Sequence, residues 1–93
     1  MKIILRPHLK IRLKQRKVPG KYPEVIVKYP EEKFFDTETG REIALKRLEY
    51  NQKMRPMVVV YDIIEREIQI ITIHPVTEQE IQNKVKRKRW IKR

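Results

Sequence analysis

Three polar side chains near the start of the chain are spaced so that they could act together on one phosphate group. His8, Arg12 and Arg16 recur every four residues in the segment HLKIRLKQR. Metal-free cleavage of RNA needs a base for the 2′-hydroxyl proton, cations that stabilise the pentacoordinate phosphate, and an acid for the leaving oxygen. A histidine that titrates near neutrality beside two guanidinium groups supplies residue types for that chemistry.

The spacing of this trio places it on one face of either regular element. On a helix the three side chains project at about 0°, 40° and 80°, with Leu9 and Leu13 beside them at about 100° and 140°. On a strand they would also share a face, because all three positions are even-numbered. The alternative is an ordinary basic surface, since a segment this rich in cations produces such spacings often and a lone histidine at a helix start can simply cap or pack.

Further candidates lie in the body of the chain. Tyr61 falls in an apolar run, where it either belongs to the core or acts as an acid or stacking surface. His74 ends a strand before a proline, a position that favours a structural role over a catalytic one. Arg41 and Arg55 either bind phosphate or cover the surface. Two histidines without cysteine or a tight acidic cluster make a poor zinc site, so no metal and no cofactor are expected.

Charge is distributed unevenly along the sequence. Residues 1–21 carry eight Lys or Arg and no acid, residues 84–93 carry seven and no acid, and residues 22–83 hold eight basic and all twelve acidic residues. If the basic ends fold together, they form one positive surface that attracts polyanions, nucleic acid first and an acidic protein second. A heat-adapted, charge-rich protein would show many charges, but not their segregation by sign.

The basic carboxyl-terminal segment is the best general candidate for contact with nucleic acid. Its cations could neutralise a backbone while its one tryptophan stacks on a base. The alternative is a solvated helix end with the tryptophan folded onto the core. The candidate binding residues of this segment are Lys84, Lys86, Arg87, Lys88, Arg89, Trp90, Lys92 and Arg93.

Composition excludes several classes of protein. The 93 residues suit one domain over 1–93, with residues 86–93 as a basic tail. There are no cysteines, which removes disulfides and thiolate sites, and two glycines are too few for a Gly-rich phosphate loop. Neither a membrane span nor a signal peptide is visible, so we expect a cytoplasmic protein that has no contact with a membrane.

Apolar periodicity predicts two helices before a series of strands and one helix after it in the sequence. The patterns indicate a helix over 7–17 and a short one over 22–29, then strands over 33–36 and 41–50. Two further strands over 57–64 and 67–74 form a hairpin around Glu65-Arg66, and a T-x-x-E capping box at Thr77 starts a last helix. The order predicts an α+β fold in which helices pack on three or four antiparallel strands.

This series of segments resembles a small family of uncharacterised prokaryotic domains. The resemblance covers most of residues 8–85 and rests on order and spacing: the H-x-x-x-R-x-x-x-R opening, the Gly40-Arg41 pair, a V-V-V-Y strand and an I-I-T strand. That family looks related to the RelE/ParE toxin superfamily, and the ending I-x-P-V-T-x-x-E is similar to that of BrnT-type toxins. The family opening usually continues into a short residue plus Gly-Ile, whereas this chain has Lys17-Val18-Pro19-Gly20.

The resemblance implies a RelE-like fold and a toxin. Many relatives are ribonucleases that cut messenger RNA, often on the ribosome, and are held inactive by an acidic antitoxin protein. The implied function is a metal-independent endoribonuclease, with His8, Arg12, Arg16, Tyr61 and His74 as candidate catalytic residues. Two alternatives stay open: a module that binds RNA or the ribosome without cutting, and a ParE-like toxin that binds a protein target such as gyrase.

Overall fold

A computed structural model describes residues 1–93 as one mixed sheet with helices on both faces. No helix in it is long and apolar enough to cross a membrane. In chain order the elements are β1 (Lys2–Leu5), α1 (Pro7–Gln15), α2 (Tyr22–Lys28), β2 (Glu32–Asp36), β3 (Glu42–Tyr50), β4 (Lys53–Ile64), β5 (Glu67–Pro75), α3 (Glu78–Lys86) and β6 (Trp90–Lys92).

The sheet has six strands in the order β1-β5-β4-β3-β2-β6, so the prediction of a RelE-like sheet of three or four antiparallel strands is wrong. The two additional strands are short and lie at the edges. β1 pairs parallel to β5, with Lys2 opposite Glu67, and β6 pairs antiparallel to β2, with Trp90 opposite Asp36. Both pairings join parts of the chain that are far apart in sequence, so no local pattern reveals them.

The predicted meander at the centre of the sheet is confirmed. β3, β4 and β5 pair antiparallel in sequence order, and β4 begins at Lys53, earlier than its apolar run suggests. Glu65 and Arg66 both have positive φ, 49° and 67°, which is the conformation that a tight hairpin between twisted strands requires. The long central hairpin is therefore specified by its turn as well as by its β-branched residues.

The end of α1 and the start of α3 each have an identifiable cause. α1 ends two residues before the predicted boundary, because Lys17 takes a left-handed φ of 56° and the Val18 amide turns back to donate to the Leu13 carbonyl at 2.9 Å. The capping box of α3 is confirmed: the Glu80 amide donates to the Thr77 hydroxyl at 3.0 Å, and the Thr77 amide donates to the Glu80 carboxylate at 3.1 Å.

Burial on both faces makes the sheet the middle of three layers. α1 and α2 cover one face, where Leu9, Leu13 and Ile26 contact inward residues of β4 and β5. α3 covers the other, where Ile81 meets residues of β2, β3 and β4. Three successive residues of β3, Ile43 to Leu45, are almost completely buried, which happens only in a strand with a hydrophobic layer on each side.

The end of the basic tail is part of the fold. Trp90 in β6 is 3% exposed and stacks on Phe34 with 5.3 Å between ring centroids. Ion pairs fix the strand on either side of it: Arg89 reaches Asp36 at 3.4 Å and Arg93 reaches Glu42 at 2.7 Å. These residues hold the last strand against the sheet instead of extending as a free tail.

The burial of Trp90 predicts a measurable contribution to stability. Trp90→Ala should lower the free energy of unfolding by about 3–5 kcal/mol, because it opens a cavity under α3. Trp90→Phe should cost much less, since the buried indole Nε1 has no hydrogen-bond partner to lose. Urea denaturation measures both. Ile91→Ala is the control, as that neighbouring side chain is 45% exposed and should change stability by about 0.5 kcal/mol or less. Equal costs for Trp90→Ala and Ile91→Ala would contradict the burial.

Candidate nucleic-acid interface

Ion pairs neutralise the middle of the chain and leave its first basic segment unpaired. The eight ion pairs use eight of the twelve acids. Only five cations take part in them: Lys28, Arg41, Arg47, Arg89 and Arg93. None of the eight Lys and Arg in residues 1–21 has an acid within ion-pair distance. The net positive charge is therefore concentrated on the surface that these residues form.

α1 and the two residues that follow it present five of these eight cations. His8, Arg12 and Arg16 are all exposed, whereas Leu9 and Leu13 are buried and attach the helix to the sheet. The three polar side chains have no hydrogen bond or ion pair to other side chains, so they are free to contact a ligand. Lys10, Lys14 and Lys17 are exposed on the same short segment and add to its potential.

The carboxyl-terminal segment is divided between structural and available cations. Arg89 is bound to Asp36 and Glu38, Arg93 is bound to Glu42, and Trp90 is buried, so these three stabilise the fold. Four cations remain exposed without an ion pair: Lys86, Arg87, Lys88 and Lys92. They surround the carboxyl-terminal end of α3 and form a second positive surface.

His74 is a partly buried histidine whose surroundings change its pKa. It pairs across β5 and β4 with Val58, and directly paired residues share a face, so its side chain lies on the α3 side of the sheet. Partial burial lowers its pKa first, the positive charges of Lys84 and Arg16 lower it further, and Glu80 opposes them. The imidazole is thus held in its neutral form, able to accept a proton.

The two cations that act on His74 come from the two basic ends of the chain. Lys84 belongs to α3, where its ammonium also lies 5.5 Å from the centre of the Trp90 ring. Arg16 caps α1 on the opposite face of the sheet, and its carbonyl accepts a hydrogen bond from the Tyr50 hydroxyl at 3.0 Å. His74 therefore lies within electrostatic range of cations from both basic ends of the chain.

The remaining candidate residues of the body of the chain are engaged in other contacts. Tyr61 lies on the opposite face, packed with Leu9 and Leu13, and burial followed by the charge of Glu42 raises its pKa. Arg41 pairs with Asp62 at 3.5 Å, and Arg55 donates to the Tyr50 carbonyl at 3.1 Å. No three His, Asp or Glu side chains come together in a group that could hold a metal ion.

A cleft beside the end of α1 was missed from the sequence. Its volume is about 500 Å³, and it is lined by Lys17, Lys21, Tyr22 and Tyr50 among others. Lys17 and Lys21 come from the α1–α2 turn, Tyr22 begins α2 and Tyr50 ends β3, so only the fold brings them together. The one sequence signal was a pair of unneutralised lysines around Pro19-Gly20, which indicates a basic turn but not its aromatic neighbours.

The environment of His74 predicts how stability depends on pH. Folding lowers the pKa of His74, so the unfolded chain binds more protons as the pH falls below about 6.5, and stability is lost in that direction. His74→Gln should therefore show a shallower loss of stability between pH 7 and pH 5 than the wild type. Urea denaturation across that range measures the difference. His8→Gln is the control for removal of a histidine, and an equal effect of both substitutions would contradict the assignment.

No family model, curated protein or solved structure matches the chain.

Proposed function

We propose that this protein binds RNA through the basic surfaces formed by α1 and by the end of α3, with the region around His74 between them. The observation that carries the proposal is the unpaired state of every cation in residues 1–21, in a chain that uses most of its acids elsewhere. Surplus positive charge at one place raises the free energy of the folded protein by self-repulsion, and a bound polyanion relieves that repulsion.

The geometry favours a flexible polyanion. The two positive surfaces lie on opposite faces of the sheet, and His74 is within electrostatic range of a cation from each. A single strand of RNA can bend to reach both faces, whereas a stiff duplex would contact one face at a time. Release of the counterions condensed on the RNA would then provide most of the affinity.

This proposal predicts binding that weakens steeply with salt. The logarithm of affinity for a single-stranded RNA should fall against the logarithm of salt concentration with a slope on the order of −3, as about four or five phosphate contacts require. Arg12→Gln and Arg16→Gln should each lower affinity roughly fivefold near 0.1 M salt and reduce the slope by about 0.7. Fluorescence anisotropy at several salt concentrations measures both quantities.

Two controls separate contact from general charge. Arg66→Asn removes one exposed, unpaired cation at the distal hairpin and should change affinity much less than Arg16→Gln. Thermal unfolding of Arg12→Gln and Arg16→Gln should match the wild type within about 0.5 kcal/mol, because both side chains are exposed. Salt-independent binding, or none at 50 mM salt, would exclude the proposal.

A second function, cleavage of the bound RNA, is favoured by the state of His74. A neutral imidazole can take the proton of a ribose 2′-hydroxyl, whose oxygen then attacks the adjacent phosphorus. The bond from phosphorus to the 5′ oxygen breaks, a 2′,3′-cyclic phosphate forms, and the leaving oxygen takes up a proton. Lys84 and Arg16 are the cations that would stabilise the charge on the phosphate in the transition state.

Cleavage is tested by incubating the protein with RNA, alone and on ribosomes, and mapping the ends. We expect cyclic phosphate ends, with a loss of about 10²–10⁴ in rate for His74→Gln. If His8→Gln loses the activity and His74→Gln keeps it, the base belongs to the trio on α1. If RNA binds and is not cut in either setting, the protein is a binding module.

The same surface would accept an acidic protein. The antitoxin that the sequence resemblance implies would cover the unpaired cations of α1 and compete with RNA for them. Growth arrest on expression of the protein, relieved by an acidic partner encoded beside it, would support a toxin.

A further inference from the structure

We infer that the cleft between the α1–α2 turn and the end of β3 holds an unpaired nucleotide, which makes single-stranded RNA the preferred ligand. The inference rests on the proposed function and adds to it a site at which a base, and not only the backbone, is bound. It stands on the shape and lining of the cleft, which are independent of His74.

Two tyrosine rings in the cleft are fixed in position by their hydroxyl groups. The Tyr22 hydroxyl donates to the Glu49 carbonyl at 2.7 Å, and the Tyr50 hydroxyl donates to the Arg16 carbonyl at 3.0 Å. Both rings also pack against the buried residues beneath α1 and α2. An aromatic ring that is already immobile loses little entropy when a base stacks on it, so these rings suit base recognition.

Charged and polar groups around the rings match the rest of a nucleotide. Lys17 and Lys21 are exposed, lack an ion pair and line the cleft, where they can contact the phosphates on either side of a stacked base. Asn51 in the β3–β4 turn offers an amide that can donate to and accept from a base edge. Glu49 lines the same cleft, and its negative charge repels the phosphates. Removal of that charge should therefore raise the affinity for RNA instead of lowering it.

The cleft is continuous with the basic surface already described. Arg16 is the connecting residue, because its carbonyl holds Tyr50 at the cleft and its guanidinium acts on His74. A strand that follows α3, His74 and Arg16 therefore reaches the two lysines next. A base inside a duplex is covered on both sides by its neighbours, so only an unpaired base can enter and stack.

The test compares single-stranded with duplex RNA of the same sequence, carrying one 2-aminopurine. We expect the wild type to bind the single strand roughly tenfold more tightly and to change its 2-aminopurine fluorescence through stacking on tyrosine. Tyr22→Leu should abolish the fluorescence change and weaken binding, whereas Tyr22→Phe keeps the ring and should retain the change. Glu49→Gln should raise affinity.

The matched control for charge uses two turn residues with the same backbone conformation. Lys17 and Arg66 have φ of 56° and 67°, both are exposed and neither has an ion pair, so replacement of each by asparagine removes one charge without strain. Lys17→Asn should weaken binding of the single strand several-fold more than Arg66→Asn.

Failure of the inference is distinct from failure of the proposed function. Salt-dependent binding of the single strand with no change in 2-aminopurine fluorescence, or equal effects of Lys17→Asn and Arg66→Asn, would overturn the nucleotide cleft and leave the basic surface standing. Absence of salt-dependent binding to either RNA would overturn both.

Discussion

Burial of the central strands on both faces is the constraint on which the rest of the molecule depends. Ala44, Val58 and Val59 are fully buried, so a hydrophobic layer is required above and below the sheet. The chain supplies it with three short helices that are too small to be stable alone and are held by a few side chains each. Helix residues that do not contact the sheet can carry charge. In α1 only Leu9 and Leu13 are buried, so its other residues are available for this.

This arrangement decides where the positive charge can gather. Acids on β2, β3 and α3 are engaged by arginines that also hold the structure together, most clearly at Arg47, which binds Glu78 at 2.6 Å and Glu31 at 3.3 Å. Hydrogen bonds to these carboxylates raise the pKa of Arg47 and lower those of Glu31 and Glu78. Eight of the twelve acids are held in ion pairs with these and other cations of the middle and carboxyl-terminal segments, and none pairs with a cation of α1. The surplus of positive charge on α1 therefore follows from the pairing of the acids elsewhere as well as from the number of cations on the helix.

Local sequence patterns predicted the elements better than their assembly. The capping box at Thr77 and the hairpin at Glu65-Arg66 depend on neighbouring residues, and both were predicted correctly. β1 and β6 were missed because their pairing partners, Glu67 and Asp36, are distant in sequence and neither strand is long enough to show alternation. The sequence left the burial of Trp90 open for the same reason, since a tryptophan within a run of cations is equally compatible with a solvated tail.

The candidate site shows the same division between local and distant information. The spacing of His8, Arg12 and Arg16 correctly indicated one exposed face beside a leucine stripe, because that geometry belongs to a single helix. The approach of Arg16 and Lys84 to His74 required the fold, since the three lie on α1, α3 and β5. A histidine at a strand end is ordinary by itself, but partial burial and then two cations from opposite faces of the sheet lower the pKa of His74. A phosphate bound there would place negative charge next to the imidazole and raise its pKa, so the proposed binding of RNA would favour proton uptake at His74.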